Sequence, residues 1–247
     1  MKTILITGCS SGFGLETAKF FLERGWKVVA TMRTPRKDIL PASENLRVLA
    51  LDVSKQESIR QAIEAAGPIE VLVNNAGIGV LNALEGLSMD MIREVFETNT
   101  FGTMALTQAV LPQFRERRSG VIVNVTSSVT LKSLPLLSVY TASKAAINAF
   151  TESLALELEP FNIRARVVLP GRSPETRFAN NAQGRMMAIP EAYADLAQRV
   201  FAGWDQSEDP VTYSQDVAEV IWQVVTDPSS PMRVPAGADA VEWAKAR

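Results

Sequence analysis

The chain of 247 residues predicts an α/β fold: a single domain built on a doubly wound parallel sheet. Three observations predict it. Short β-rich runs alternate with amphipathic segments, the pattern of strands joined by crossover helices. The apolar run Ile4-Leu5-Ile6 leads straight into the glycine-rich turn Thr7-Gly8-Cys9-Ser10-Ser11-Gly12-Phe13-Gly14 and then into a helical pattern. The length, with 47% hydrophobic residues, suffices to bury one sizeable core.

Strands are expected near residues 2–7, 26–32, 46–51, 69–73, 120–126 and 163–169. The first helix spans Phe13 to Glu23 and ends at Gly25, a residue suited to a left-handed cap. Ser88 to about Arg117 reads as mainly helical, interrupted near Gly102 or Pro112. Ser138 to Glu159 is also helical and is stopped by Pro160. Residues 172–212 break the rhythm, with Pro174, Gly184, Pro190, Gly203 and Pro210, and are expected to form a substrate-covering insertion. No internal repeat, low-complexity tract or linker stands out.

Composition narrows the function classes. With 25 Lys and Arg against 27 Asp and Glu, the chain carries no overall basic field for nucleic acid. The cluster Arg115, Arg117 and Arg118 falls where a helix should end, and reads as a solvated last turn complementing the helix dipole. No apolar stretch approaches membrane-spanning length, and Ile4-Leu5-Ile6 is too short for a signal-peptide core, so a cytoplasmic protein without membrane partners is expected. A lone cysteine, Cys9, excludes an intramolecular disulfide and a cysteine-rich metal site; it reads as a small packed side chain. The absence of histidine excludes Ser-His-Asp and Cys-His machinery and any histidine-ligated metal. Proton transfer must come from other side chains, and no metal is expected.

The glycine-rich turn has its own chemistry. Gly8, Gly12 and Gly14 permit positive φ and close backbone approach, and the free N–H groups at the start of the helix from Phe13 attract phosphates. That combination suits a dinucleotide pyrophosphate and nominates a nicotinamide cofactor. Tyr140 and Lys144, four residues apart on a predicted helix, share one face. A neighbouring ammonium favours phenolate, so the tyrosine pKa is expected to fall from its ordinary value near ~10.

Further motifs follow in order: Asn74-Asn75-Ala76-Gly77 after Val71-Leu72-Val73, Ser127 at the end of Val121 to Val125, and Tyr140-Thr141-Ala142-Ser143-Lys144. Together with the spacing Gly-x-x-x-Gly-x-Gly, they resemble the shorter branch of the short-chain dehydrogenase/reductase family, from Lys2 to about Gly171. The resemblance implies a Rossmann-like fold and hydride transfer between nicotinamide and a ketone or secondary alcohol. It implies that Tyr140 gives a proton to the carbonyl oxygen or removes it from the alcohol, that Lys144 also binds the nicotinamide ribose, and that Ser127 polarises the carbonyl. Alternating strand directions put Ser127 and Ser128 on opposite faces, and Ser127 is chosen. Asn99, in Glu97-Thr98-Asn99-Thr100-Phe101-Gly102, matches the family's proton-relay asparagine; a helix kink or buried amide is its other reading.

The resemblance likewise places Asp52 and Val53 at the adenine, although Asp52 could instead cap the helix beginning near Lys55. Asn74 resembles a sheet-stabilising residue, Asn75, Ala76 and Gly77 approach the cofactor, and Pro170-Gly171 resembles the turn beside nicotinamide. Thr176 stands one residue later than the family spacing, which leaves its contact with the carboxamide unassigned.

At the end of the second strand, Met32 fills the place where an acidic residue would favour NAD, and Arg33 follows. An arginine can pair with a 2′-phosphate, with Ser10 as a second contact, so NADP(H) is expected over NAD(H). Leu131, Leu134, Leu136, Leu137, Phe178, Met186, Met187 and Tyr193 could line a pocket for a substrate with a hydrophobic body; core or lid packing explains them nearly as well. Arg172 and Arg177 read as structural ion pairs. The helices around 88–117 and 138–159 resemble the pair that joins family subunits, and imply a homo-oligomer, dimer or tetramer. A protein that senses NADP(H) without turnover is the competing class, and intact Ser127, Tyr140 and Lys144 argue against it.

Overall fold

A computed structural model describes residues 1–36, 38–176, 188–205 and 208–246. Seven parallel strands form one sheet: β1 (Thr3–Thr7), β2 (Lys27–Met32), β3 (Leu46–Ala50), β4 (Val71–Asn74), β5 (Gly120–Val125), β6 (Ile163–Pro170) and β7 (Arg233–Ala236). Their order is β3-β2-β1-β4-β5-β6-β7. The connecting helices are α1 (Gly12–Glu23), α2 (Gln56–Ala66), α3 (Met89–Phe96), α4 (Gly102–Arg117), α5 (Ser138–Leu158), α6 (Ala194–Asp205), α7 (Ser214–Thr226) and α8 (Ala238–Lys245).

Strand periodicity builds two cores. Ile4, Ile6, Val71 and Val73 point to the face covered by Phe21 of α1 and Ile221 of α7, while Leu5, Leu72 and Ile122 point to the face covered by Leu106 and Phe114 of α4 and Leu154 of α5. Because both faces are covered, the inner strands read as continuous apolar runs, not as alternation. The chain winds outward from β1 to β3 and then returns to pair β4 with β1, in the register Ile4↔Val71 and Ile6↔Val73. That reversal opens a crevice at the carboxyl ends of β1 and β4, where open α/β sheets take their ligands.

The structure departs from the sequence reading at several points. A seventh strand, Arg233-Val234-Pro235-Ala236, pairs with β6. It is short, charged and proline-containing, as an edge strand tolerates, and so it lacks the apolar signal of the inner strands. The interruption between α3 and α4 is a π-helical turn, Glu97–Phe101, directly before Gly102, the first of the two expected places, while Pro112 sits inside a helix that continues to Arg117. Within 172–212, Gly203 lies in α6, so part of this segment is regular helix. Gly25, with φ 75°, follows α1 as expected. The arginines at the end of α4 are exposed as expected, but they also bond main-chain carbonyls: Arg117 donates to Ile69 and Arg118 to Pro160.

Candidate active site

The ends of β1 and β4 are stitched together by Thr7. Its Oγ1 accepts the N–H groups of Asn75 (2.9 Å) and Ala76 (2.8 Å), and the Asn75 side-chain amide donates to the Thr7 carbonyl (2.8 Å). The turn between Thr7 and α1 runs close to this junction. Gly8 has φ 75°, and a Cβ there would stand 3.0 Å from the Ala76 Cα. Ser11 precedes α1 without a side-chain cap, and no acidic residue occupies the helix's first turn. The N–H groups from Gly12, Phe13 and Gly14 onward therefore face the crevice without a competing carboxylate, a cradle whose donors and dipole suit a pyrophosphate. Ser10 is exposed beside it. Cys9 is fully buried, its thiol lies 3.2 Å from the Ile6 carbonyl, and burial pushes its pKa up to about 12, so it is an inert packed side chain.

At the carboxyl end of β2, Met32 is buried and Arg33 exposed. Asp52 follows β3. Partial burial works against its charge, but the Ser54 hydroxyl (2.7 Å) and N–H (3.0 Å) outweigh that cost, and nearby Arg33 and Lys55 add to them, so the carboxyl lies below its ordinary range. The residue capping α2 is Lys55, so Asp52 forms a local turn ahead of the helix instead of capping it. Val53 packs beside it against the core under α4.

Asn74 turns away from the crevice. Its amide donates to Asn124 (2.8 Å) and Thr107 (3.0 Å), and Asn124 donates to Thr151 (2.8 Å), a buried ladder tying β4 and β5 to α4 and α5. Asn99 is a buried amide within the π-helical turn, as the second of its sequence readings has it. Its Oδ1 accepts from the Ile78 N–H (2.8 Å), and its Nδ2 donates to the Ile78 carbonyl (2.9 Å) and to Ser143 Oγ (3.0 Å). A Cβ on Gly77 would stand 3.2 Å from Lys144 Nζ and 3.3 Å from Asn99 Oδ1, so Gly77, Asn99 and Lys144 converge.

Ser127, Tyr140 and Lys144 also come together. Ser127 leaves β5 in extended conformation and hydrogen-bonds the Tyr140 hydroxyl, while Ser128 is buried in the following 3-10 turn. Lys144 Nζ donates to the Val125 carbonyl at 3.1 Å and stands 6.0 Å from the centre of the Tyr140 ring. The fold does not produce the expected fall in the tyrosine pKa. Burial raises it above the ordinary value and outweighs the opposing hydrogen bond from Ser127, so the phenol is a protonated donor at neutral pH. Burial lowers Lys144 to about 8.

Pro170-Gly171 ends β6 under two residues that sequence reasoning missed. The Gly171 N–H donates to Thr212 Oγ1 (3.0 Å), the Arg172 N–H donates to Asp239 Oδ2 (2.6 Å), and the Thr212 hydroxyl donates to Asp239 Oδ1 (2.6 Å). Asp239 is only 4% exposed, and its one sequence signal is a carboxylate within Ala238-Asp239-Ala240-Val241 just after Gly237. Arg172 departs from the expected ion pair, since its guanidinium donates to the Trp204 carbonyl (3.4 Å). Thr176 packs its methyl group on the glycine turn, 3.2 Å from where a Gly12 Cβ would be.

Among the expected apolar pocket residues, Leu136 is buried with Leu81, Ala83 and Ala197, and Leu137 and Tyr193 pack against them, so that the loop before α5 meets α6. Leu131 and Leu134 are half-buried. Arg177, Phe178, Met186 and Met187 lie outside the described residues. Among the described residues, no cluster of three or more metal-ligating side chains occurs, and no helix is long and apolar enough to cross a membrane.

The family model for short chain dehydrogenase matches residues 2–185. Human retinol dehydrogenase 8 is 37% identical over 256 residues, covering 94% of this chain and 80% of the relative. A serine dehydrogenase in closed form complexed with NADP+ superposes with a TM-score of 0.79 at 28% identity, covering 96% and 94% of the two chains. The 3-ketoacyl-(acyl-carrier-protein) reductase from Brucella melitensis complexed with NADH superposes with a TM-score of 0.78 at 27% identity, covering 95% and 96%.

Proposed function

The chain belongs to the short-chain dehydrogenase family of oxidoreductases, and from that premise we propose that it is an NADP(H)-dependent carbonyl reductase/alcohol dehydrogenase acting on a ketone or secondary alcohol with a hydrophobic body. One observation carries the proposal: the Ser127 and Tyr140 hydroxyls meet beside Lys144 at the edge of the crevice that begins with the glycine turn.

When bound, the nicotinamide gives or takes the hydride. The protein's own groups do the rest. Gly8, Gly12, Phe13 and Gly14 would hold the pyrophosphate, Asp52 and Val53 would meet the adenine, Asn75, Ala76 and Gly77 would approach the cofactor, and Pro170-Gly171 would lie beside the nicotinamide. Ser127 and Tyr140 donate hydrogen bonds to the carbonyl oxygen, and Tyr140 passes it a proton in reduction or accepts one in oxidation. The Lys144 ammonium holds ribose hydroxyls and favours phenolate once Tyr140 has given up its proton, and Asn99 supports proton resupply. Exposed Arg33 with Ser10 supports a 2′-phosphate and so NADP(H) over NAD(H); the solved neighbours carry either nicotinamide.

The segment 172–212 is proposed to cover the substrate, supported by the apolar packing of α6 on Leu136. A relative named for retinol supports a hydrophobic substrate body. Phe101, Met104, Leu111 and Phe150 line an open groove where α4 meets α5, which supports a homo-oligomer joined through these helices.

The test measures NADPH and NADH consumption by wild type and Tyr140→Phe across aromatic, aliphatic, steroid and keto-ester carbonyls, with cofactor binding in parallel. Turnover that prefers NADPH and is lost in the variant with binding intact supports the reading. Binding without turnover in either protein points to a sensor of NADP(H) instead.

A further inference from the structure

We propose that Thr130 and Asn148 are positioning residues that hold Ser127 at hydrogen-bonding distance from Tyr140; their catalytic effect rests on the carbonyl-reductase reading above. A one-way chain of donors carries the idea. The Asn148 side-chain amide donates to Thr130 Oγ1 at 2.9 Å, and the Thr130 hydroxyl donates to the Ser127 carbonyl at 2.9 Å. The same carbonyl also accepts the Thr130 N–H at 3.2 Å. The turn therefore has a backbone bond of its own, and the hydroxyl adds something the turn alone does not need: a tie from Ser127 to α5.

The position of Asn148 gives that tie its meaning. It stands one helical turn beyond Lys144 and two beyond Tyr140, and one turn later Thr151 bonds Asn124 of β5. One rigid helix thus carries Tyr140, Lys144 and the anchor of the loop that bears Ser127. Asn148 is 3% exposed, and its Oδ1 has no partner among the described residues. The amide's orientation is therefore set by what its Nδ2 serves, which is Thr130. Turning the Ser127 backbone would carry its Oγ away from the Tyr140 hydroxyl and break its bond from the Val129 N–H, now 3.3 Å long. Precise placement of reacting and orienting groups is the step to which catalysis is most sensitive.

The experiment compares Thr130→Val, which keeps the shape and removes the hydroxyl, with Thr130→Ser, which restores it, and with Asn148→Ala. Each is made in wild-type and Ser127→Ala backgrounds. For Thr130→Val the rate of reduction should fall about ten-fold while NADPH affinity stays within about two-fold, because placement and not cofactor binding is lost. Thr130→Ser should recover most of the rate. In the Ser127→Ala background Thr130→Val should cost little further rate while lowering Tm as much as before. Exchange of the Val129 amide should quicken in Thr130→Val and Asn148→Ala, but not in Thr130→Ser.

A Thr130→Val protein that loses Tm but keeps its rate overturns the proposal, as does a rate loss undiminished without Ser127. Should wild type turn over no carbonyl, the reading of function fails separately. Exchange at Val129 then decides the positioning: unchanged protection overturns it, and accelerated exchange supports it.

Discussion

Lys144 Nζ donates to the carbonyl of Val125 at 3.1 Å, so the ammonium on α5 is held by the last residue of β5, two positions before Ser127. Burial beside the neutral Val125 carbonyl brings the lysine down to about 8 from 10.5. Below about pH 8 the folded chain carries a buried charge at a cost. As pH rises from about 8 toward 10.5, the folded lysine releases its proton before the unfolded one does, and stability rises. Tyr140 and Cys9, whose values are raised by burial, act in the opposite sense at higher pH. The difference in urea midpoint between wild type and Lys144→Met should therefore shift in favour of wild type between pH 8 and 10. A flat difference across that window would count against the buried lysine.

Ser127→Ala should lower the rate of carbonyl reduction about 10²-fold to 10³-fold, the scale expected for removing one hydrogen-bond donor from a developing oxyanion. NADPH affinity should hold. Equilibrium binding alongside single-turnover rates separates the two effects.

Arg33→Glu should weaken NADPH by about ten-fold or more through loss of a charge-assisted pair, and should leave NADH less affected or improved. Titration of both cofactors by fluorescence checks this. Equal loss for the two would remove Arg33 from the 2′-phosphate.

Asp239→Ala should cost about 1–3 kcal/mol, since it leaves the partly buried Arg172 N–H without its acceptor and leaves the Thr212 hydroxyl only the Ala236 carbonyl at 3.0 Å. The loop after Gly171 should loosen with it. Urea unfolding gives the stability change, and amide exchange at Arg172 locates it.

Phe101→Glu, which places a charge on a side chain 53% exposed in the groove between α4 and α5, should shift the proposed homo-oligomer toward monomer in light scattering while far-UV circular dichroism stays unchanged, and a wild type that is already monomeric would overturn the homo-oligomer. An unaltered mass would place subunit contacts elsewhere.

Much of the site is legible in the chain because its signals are local. A glycine turn after an apolar strand, a tyrosine and lysine four apart on a helix, and a serine at a strand end each need only a few neighbouring residues to be recognised. Those determined the fold class and the places of the first six strands along the chain, and named the side chains proposed to do the chemistry. Tertiary structure decided the rest, because it depends on what lies far away in the chain. β7 is a strand only because β6 offers it an edge. Of the two places the sequence offered for a break in the helical segment, the π-helical turn falls beside Gly102, where the Asn99 amide bonds Ile78, twenty-one residues earlier, and not at Pro112. Asp239 matters because the loop after β6 folds back onto it. The direction of the Tyr140 shift could not be read from its neighbour Lys144, because desolvation by the whole fold raises it and outweighs the opposing Ser127 hydrogen bond.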